Sequence, residues 1–583
     1  MLLITKKKRK PQNCMARQSV EEIKAENRGL YGKIIETLLS NESHFEEAEY
    51  QLLKFHGSYQ QDNRDSRRER RKQKLDKEWM FMVRTKMPSG TLTPEQYLAH
   101  DSMADKLGNS TMRLTTRQGI QLHGILKGHL RDAIRYISDC GLTTWGACGD
   151  VVRNTMGPAA PIKDEAHSSA LELADEISQV FSAQTSSYSS IWLNGEKLEL
   201  NTNNISEPEN EPLYGELYLP RKFKIGIAIP PRNDVDLYSQ DVGLVMHTEN
   251  NKVLGYSIYV GGGFGMTHGI ETTYPCLAKP LFYCSKKDIA KACEAIIIVQ
   301  RDNGDRTDRK HARLKYLVAE RGIDWFRKEV QKIISFPTEE IRKANFDTVS
   351  DQLGWHEQGD GKLFVGIHVA QGRIKDNEEK QNRTAFRQIA QKFNCSVRIT
   401  PNANIYFYDI EESNRSDIDQ ILKDFKIPVG NDFTATRQTA HACVALPTCG
   451  LALAESERVF DTLLDSIDSL LNELGLDKDQ ILIRMTGCPN GCARPYNADF
   501  AFVGRAPNKY AMFVGGSSSG DRLASLHKKS VLFDEIQGEI RILLQDFVEN
   551  RLRQETFSAF WGRTHEELTH PIPKQFHLEK NEY

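Results

Sequence analysis

The sequence predicts an α+β fold of two pseudo-repeated units, each a small α+β half-domain followed by a larger mixed α/β domain. Two internal echoes predict it. TMRLTTRQGIQLHGI (111–125) aligns with SVRITPNANIYFYDI (396–410), pairing Arg113 with Arg398, Thr115 with Thr400, Ile120 with Ile405 and Ile125 with Ile410. Farther along, YSIYVGGGFG (256–265) is echoed by YAMFVGGSSSG (510–520), an apolar strand ending in glycines both times. Two echoes in the same order point to duplication of a two-part unit.

The elements follow in chain order. MLLITKKKRKPQNC, with its basic run Lys6 to Lys10, is expected to be disordered, and Met15 is an equally good start. Ser19 and Glu22 then form a capping box for a helix whose apolar residues, from Ile23 to Leu39, keep helical spacing as far as Asn41. SRRERRKQK reads as a solvated helix face or an extended arm, since no aromatic residue is interleaved with its charges. The first echo alternates apolar and polar residues, turns, and alternates again, a strand-turn-strand pattern. A helical stretch precedes each copy, TPEQYLAHDSMADKLG and RTAFRQIAQKFN. The expected division is 1–75 for tail, helix and arm, 76–145 and 346–432 for the half-domains, and 146–345 and 433–583 for the larger domains.

Bulk properties narrow the function. A chain of 583 residues is too long for one core. With 39% hydrophobic and 27% charged residues and a net charge of −2, it reads as globular and gives no support for wholesale nucleic-acid or membrane binding. No apolar run approaches the ~20 residues of a membrane-spanning helix. Eleven cysteines, an odd count without a secretory signal, favour a reducing compartment, with cytoplasm the default.

Four of those cysteines cluster late in the chain. HACVALPTCG carries Cys443 and Cys449, and 38 residues later TGCPNGCARP carries Cys488 and Cys492. Neither spacing is the two-residue gap of a zinc knuckle or a thioredoxin-type site. Four thiolates on Pro- and Gly-rich loops match the ligand demand of a [4Fe–4S] cluster, with structural zinc or unligated buried thiols as the alternatives. If Cys488 caps a helix with Pro489 at its first position, Cys488 and Cys492 share one face near the positive end of the dipole. Of the ungrouped cysteines, Cys140 and Cys148 read as core residues.

Cations recur on strand-like segments: Arg84 and Lys86, Arg113 and Arg117, Arg153, then Arg221, Lys222 and Lys224 in LPRKFKIGIAIPP. Alternation puts Lys222 and Lys224 on one face. Like charges side by side make sense around an anion, although any one of these residues taken alone is better read as an edge-strand surface cation.

Together the two cysteine pairs, TGCPNGCARP, LTTRQ, FHGSYQQDNRD, LPRKFK and VGGGFGMTHG resemble the nitrite and sulfite reductases that couple sirohaem to an iron–sulfur cluster, and most closely the assimilatory sulfite reductases. The likeness runs from about residue 20 to 570. It implies ferredoxin-like half-domains, with the larger domains holding the sirohaem and the [4Fe–4S] cluster. It also implies six-electron reduction of sulfite to sulfide in assimilatory sulfate reduction and cysteine biosynthesis.

Carried over by motif, Cys443, Cys449, Cys488 and Cys492 are the cluster ligands, and Cys492 is also the axial ligand of the sirohaem iron. Arg84, Arg153, Lys222 and Lys224 ring the substrate, while Arg113, Arg117, Gln121, Arg221, Arg306 and Arg309 suit the sirohaem carboxylates. Gly261 to Gly263 offer backbone N–H groups to an anionic edge. Two positions depart from the family: Val152 stands where Asn is usual beside the key arginine, and Gly157 where many members carry Cys.

Nitrite reduction is the nearest rival, and a non-enzymatic iron–sulfur electron-transfer protein or a zinc-binding nucleic-acid module the more distant ones. The full set of two Arg and two Lys favours sulfite. VGGGFGM does not fit the dinucleotide fingerprint and no flavin domain is visible, so electrons come from another protein. That donor is an NADPH-oxidising flavoprotein subunit, suggested by SRRERRKQKL and IGIAIPPRND, or a ferredoxin, suggested by RTKMPSG, GPAAP and LGWHEQGDGKLF.

Overall fold

The computed structural model describes residues 18–193, 211–430 and 433–580. The basic tail, Cys14 and Met15 lie outside the described residues. Ser19 caps the helix Val20–Glu26 through a reciprocal box with Glu22. The expected helix does not continue to Asn41, however. It breaks into Val20–Glu26, a single turn at Arg28–Leu30 and the helix Ile34–Leu39. Gly29 and Gly32, with φ of 71° and 49°, take left-handed conformations that no continuous α-helix accommodates. The basic run forms the helix Arg67–Lys72, which buries no residue.

The duplication is explicit in the sheets. The first orders Ser58–Asp62, Trp79–Arg84, Ile120–Ile125, Met112–Leu114 and Arg373–Ile374. The second orders Gly354–Glu357, Leu363–Ile367, Ile405–Ile410, Ser396–Ile399 and Thr91–Leu92. The last strand of each sheet comes from the other repeat. Arg373 and Ile374 pair with Arg113 and Met112, and Leu92 and Thr91 pair with Val397 and Arg398. The equivalent helices Pro94–Lys106 and Asn382–Phe393 are bridged where Arg383 and Arg387 both reach Asp101, at 2.6 and 2.5 Å.

The two echo turns share one hydrogen-bond pattern. Thr115 N–H donates to Gly119 O at 2.9 Å, and Thr400 N–H to Asn404 O at 3.0 Å. In return each threonine hydroxyl accepts from the N–H four residues on, at 3.0 Å in both copies.

The larger sheets repeat as well. Ile225–Ala228 runs parallel to Val242–Glu249, followed by antiparallel Lys252–Val260 and Lys279–Ser285. In the second copy, Ile483–Thr486 runs parallel to Phe500–Ala506, followed by antiparallel Lys509–Val514 and Ser525–Leu532. An extra short strand, His441–Ala442, joins this sheet parallel to Ile483–Thr486. The helices Ile289–Asn303 and Ile536–Asn550 occupy matching places after the final strands. One apolar core spans both half-domains and the first larger sheet, and another, with Phe460, Ile467, Met485, Phe500 and Phe547, lies under the second. Each such side chain, fully buried, contributes about 1.5–3 kcal/mol.

Candidate active site

The cysteine pairs leave the carboxyl ends of two neighbouring parallel strands. His441 pairs with Arg484 and Ala442 with Met485, so Cys443 and Gly487 emerge side by side, a usual place for a ligand in such sheets. Cys443 N–H donates to Met485 O at 3.1 Å, and Gly487 N–H to Cys443 Sγ at 3.3 Å. Leu453 and Ala454 N–H both reach Gly487 O, which closes the Cys449 loop over the same point. A Cβ on Gly487 would stand 2.7 Å from Ala454 O, so only glycine fits.

The expectation that Cys488 caps a helix is not met. Residues 487–494 form turns, because Gly491 (φ 66°) and Arg494 (φ 52°) are left-handed and stop a helix from propagating. The close pair is therefore presented by a turn, and no helix dipole acts on it. The turn is held instead by buried ion pairs, Asp236 taking Arg484 at 3.0 Å and Arg494 at 2.8 Å, and by a hydrogen bond from Arg484 to the Asn497 side-chain oxygen at 2.6 Å.

The four thiols are electrostatic neighbours. Burial first, then the charges of their partner cysteines, pushes Cys449 up to about 11 and also raises Cys443 and Cys488. Among the described residues no three His, Cys, Asp or Glu close around a single metal ion. Four thiols within electrostatic reach of one another, whose thiolates would repel, fit the ligand demand of a polynuclear cationic cluster. Cys488 is buried and Cys492 exposed. Thr116, in the first echo turn, donates to Cys492 O at 3.1 Å.

The cations converge beside this turn. Lys222 and Lys224 lead into the strand Ile225–Ala228 on one face, with Phe223 buried between them. Burial, then Arg221, Arg313 and Arg153, depresses Lys222 well below the ordinary lysine range, and the Cys492 charge opposes this. Lys224 is depressed by burial, then by Arg117, Lys222 and Arg313, with Asp241 opposing. Neither ammonium has a hydrogen-bond or ion-pair partner among the described residues. Asp241 is engaged by Arg313 at 2.9 Å. Asp241 and Asp150 engage Arg313 and Arg221 but leave both lysine ammoniums unpartnered, so the cluster suits a polyanionic occupant such as a tetrapyrrole rich in carboxylates, together with a small oxyanion.

Other predicted residues are anchored within the protein. Arg84 donates to Cys148 Sγ at 3.2 Å, and Gln121, oriented with its oxygen toward that guanidinium, accepts from Arg84 Nε at 3.1 Å. Arg153 donates to Gly149 O and Ala147 O, at 2.8 and 3.1 Å. Arg117 binds Asn154 O at 2.9 Å and the Gln240 side chain, and burial lowers it to about 9.

Arg113 is buried, donating to Glu457 at 3.1 Å and to Ala442 O at 2.8 Å beside Cys443. Asp150 collects Arg309 at 2.8 Å, Arg221 at 3.7 Å and Lys24 at 3.8 Å. Arg306 stands apart from the cation cluster, bonded to Glu21 and Tyr218 O at 2.7 Å each. Gly261 and Gly263 donate their N–H groups to Asp241 O and Cys276 O. Val152 is buried next to Arg153, its N–H on the Tyr214 hydroxyl at 3.1 Å.

Sequence reasoning missed two residues. Tyr59 shares the neighbourhood of Cys148, Arg153, Arg84 and Arg221, and burial, then Cys148, raises its phenol. Only its place in FHGSYQQDNRD signalled it. Glu457 joins Arg113 to Arg373 at 2.7 Å, while its N–H reaches Cys443 O at 3.1 Å. No local pattern marks it.

The nitrite and sulphite reductase 4Fe-4S domain matches residues 149–337, and the nitrite/sulfite reductase ferredoxin-like half domain matches 72–139 and 356–425. The sulfite reductase [NADPH] hemoprotein beta-component of Staphylococcus saprophyticus is 44% identical over 542 residues, covering 93% of this chain and 94% of the relative. Its counterpart in Oceanobacillus iheyensis is 42% identical and covers 93% of both chains. The solved structure of the Mycobacterium tuberculosis NirA protein overlays 96% of this chain and 98% of its own at a TM-score of 0.76 and 21% identity, a likeness of fold. On its matched domains and these relatives, the chain belongs to the nitrite and sulphite reductase family.

Proposed function

We propose that this chain is the catalytic component that reduces sulfite to sulfide with six electrons, serving assimilatory sulfate reduction and cysteine biosynthesis in the cytoplasm. Electrons come from a separate NADPH-oxidising flavoprotein, as the names of the curated relatives suggest. Cys443, Cys449, Cys488 and Cys492 would hold a [4Fe–4S] cluster, with Cys492 shared with the sirohaem iron. Arg113, Arg117, Gln121, Arg221, Arg306 and Arg309 would serve the sirohaem carboxylates, Arg306 and Arg309 through the segment they anchor. The division at residues 75, 145, 345 and 432 belongs to the same reading. The observation that carries it is the pair of unpartnered ammoniums of Lys222 and Lys224, Lys222 lying within electrostatic reach of Cys492.

When bound, the coupled sirohaem and cluster supply the electrons. The remaining work falls to the side chains. Arg84 and Arg153 are fixed by protein acceptors, so they meet an incoming oxyanion without reorganising. Lys222 and Lys224 are depressed by burial and by like charge. An anion placed between them relieves that repulsion and raises both, so sulfite binding draws protons into the site. Each lysine is then a general acid beside an oxygen that must leave as water.

The test is anaerobic steady-state oxidation of a reduced viologen by the reconstituted protein, with sulfite and nitrite compared. A higher kcat/KM for sulfite is expected, and a much higher one for nitrite overturns the substrate assignment.

A further inference from the structure

The basic helix Arg67–Lys72 has no role in the reading above, yet the segment leading into it is joined to the Cys449 loop. Arg64, three residues before the helix, donates its N–H to Pro447 O at 3.0 Å and its guanidinium to Cys449 O at 2.9 Å. Arg458 spans to Asp65 at 2.5 Å. We propose that this helix and the loop tip together form the docking surface for the electron donor, a carrier protein whose redox group is rimmed by carboxylates, with electrons entering at Cys449. The proposal rests on the reading above and adds where the partner binds.

Charge and exposure argue for it. Residues 66–78 hold seven basic and three acidic side chains in a chain of net charge −2. Arg68, Arg71 and Lys74 are exposed and have no carboxylate partner among the described residues. The nearby carboxylates Asp65 and Glu455 are both taken up by Arg458.

Two residues past Cys449, Leu451 is 67% exposed, an apolar anchor, and Leu75 beside the basic helix is 51% exposed. An apolar contact bordered by cations is the pattern of a steered protein interface. A nucleic-acid backbone would use the cations but not the leucines, and nothing would tie it to a cysteine loop.

The test uses the full-length, cofactor-loaded protein with its NADPH-oxidising flavoprotein partner. Arg68→Glu combined with Arg71→Glu is expected to weaken the complex about tenfold at low salt and flatten its salt dependence, with viologen-driven turnover within about twofold of the parent. Leu451→Ser is expected to weaken the complex by a smaller factor while sparing the viologen rate. Unchanged affinity in both variants, with viologen turnover intact, overturns the docking surface alone. Absence of viologen-driven sulfite reduction in the parent protein overturns the functional reading beneath it. Tighter binding of a labelled DNA duplex than of the flavoprotein, lost on the same charge reversal, also overturns the proposal.

Discussion

The echo turns at 115–119 and 400–404 have the same backbone and opposite electrostatics. In the second copy the chain supplies its own anion: Asp351 accepts from Thr400 at 2.5 Å, Asn402 at 3.0 Å and Asn404 at 2.7 Å. In the first copy Arg117 and Gly119 stand where Asn402 and Asn404 stand, and Lys222, Lys224 and Arg153 gather with no carboxylate aimed back at them. The Cys488–Cys492 turn touches both copies at equivalent residues, Thr116 reaching Cys492 O and Pro401 O accepting from Arg494 at 2.8 Å. Duplication thus conserved a turn and left one copy closed by an internal carboxylate while the other stayed open to an external anion.

That contrast can be broken at its centre. Cys492→Ser is expected to abolish turnover and remove iron, acid-labile sulfide and the haem-type visible bands together, measured by metal analysis and absorbance. Retention of all three would place Cys492 outside the ligand set. Next in size, Lys222→Met is expected to lower sulfite turnover by about 10²-fold or more while leaving the visible spectrum intact. A lost spectrum would make the lysine structural instead.

In the closed copy, Asp351→Ala leaves the Thr400, Asn402 and Asn404 donors without their acceptor. Denaturant unfolding should show a loss of about 1–3 kcal/mol with sulfite affinity unchanged. Altered sulfite affinity would mean that the closed copy still communicates with the open one.

An effect of similar size concerns Glu457, which connects the repeats. Burial works to raise its carboxyl, but Arg373 and Arg113 prevail and lower it from 4.5 to about 2. Because the folded value lies below the unfolded one, the stabilisation is full above about pH 4.5 and disappears as pH falls toward 2. Glu457→Gln should therefore unfold more easily at neutral pH, by up to about 3 kcal/mol, and the difference from the parent should shrink through that window. A gap independent of pH would assign the effect to packing.

The repeat was legible because period-two alternation and paired turn residues survive in both copies from Thr111 and Ser396 onward. The two cysteine pairs and the two lysines stood out for a related reason: within each pair the spacing is local. What escaped depended on backbone conformation or on distant partners. Gly29, Gly32, Gly491 and Arg494 interrupt helices through positive φ, which periodicity does not register. The exchanged strands Thr91–Leu92 and Arg373–Ile374 are two residues each, too short to carry a pattern. Glu457 and Asp351 act across tens to hundreds of residues, and their role appears only once the halves meet.

The mutual loan of those edge strands has an outcome for the chain's history and its assembly. Either half, cut free, would expose an unpaired sheet margin open to self-association, so neither lobe has an independent existence to return to. After such an interlock, substitutions in one lobe are judged by the fit of both, which leaves the two free to diverge in chemistry while staying bound in shape.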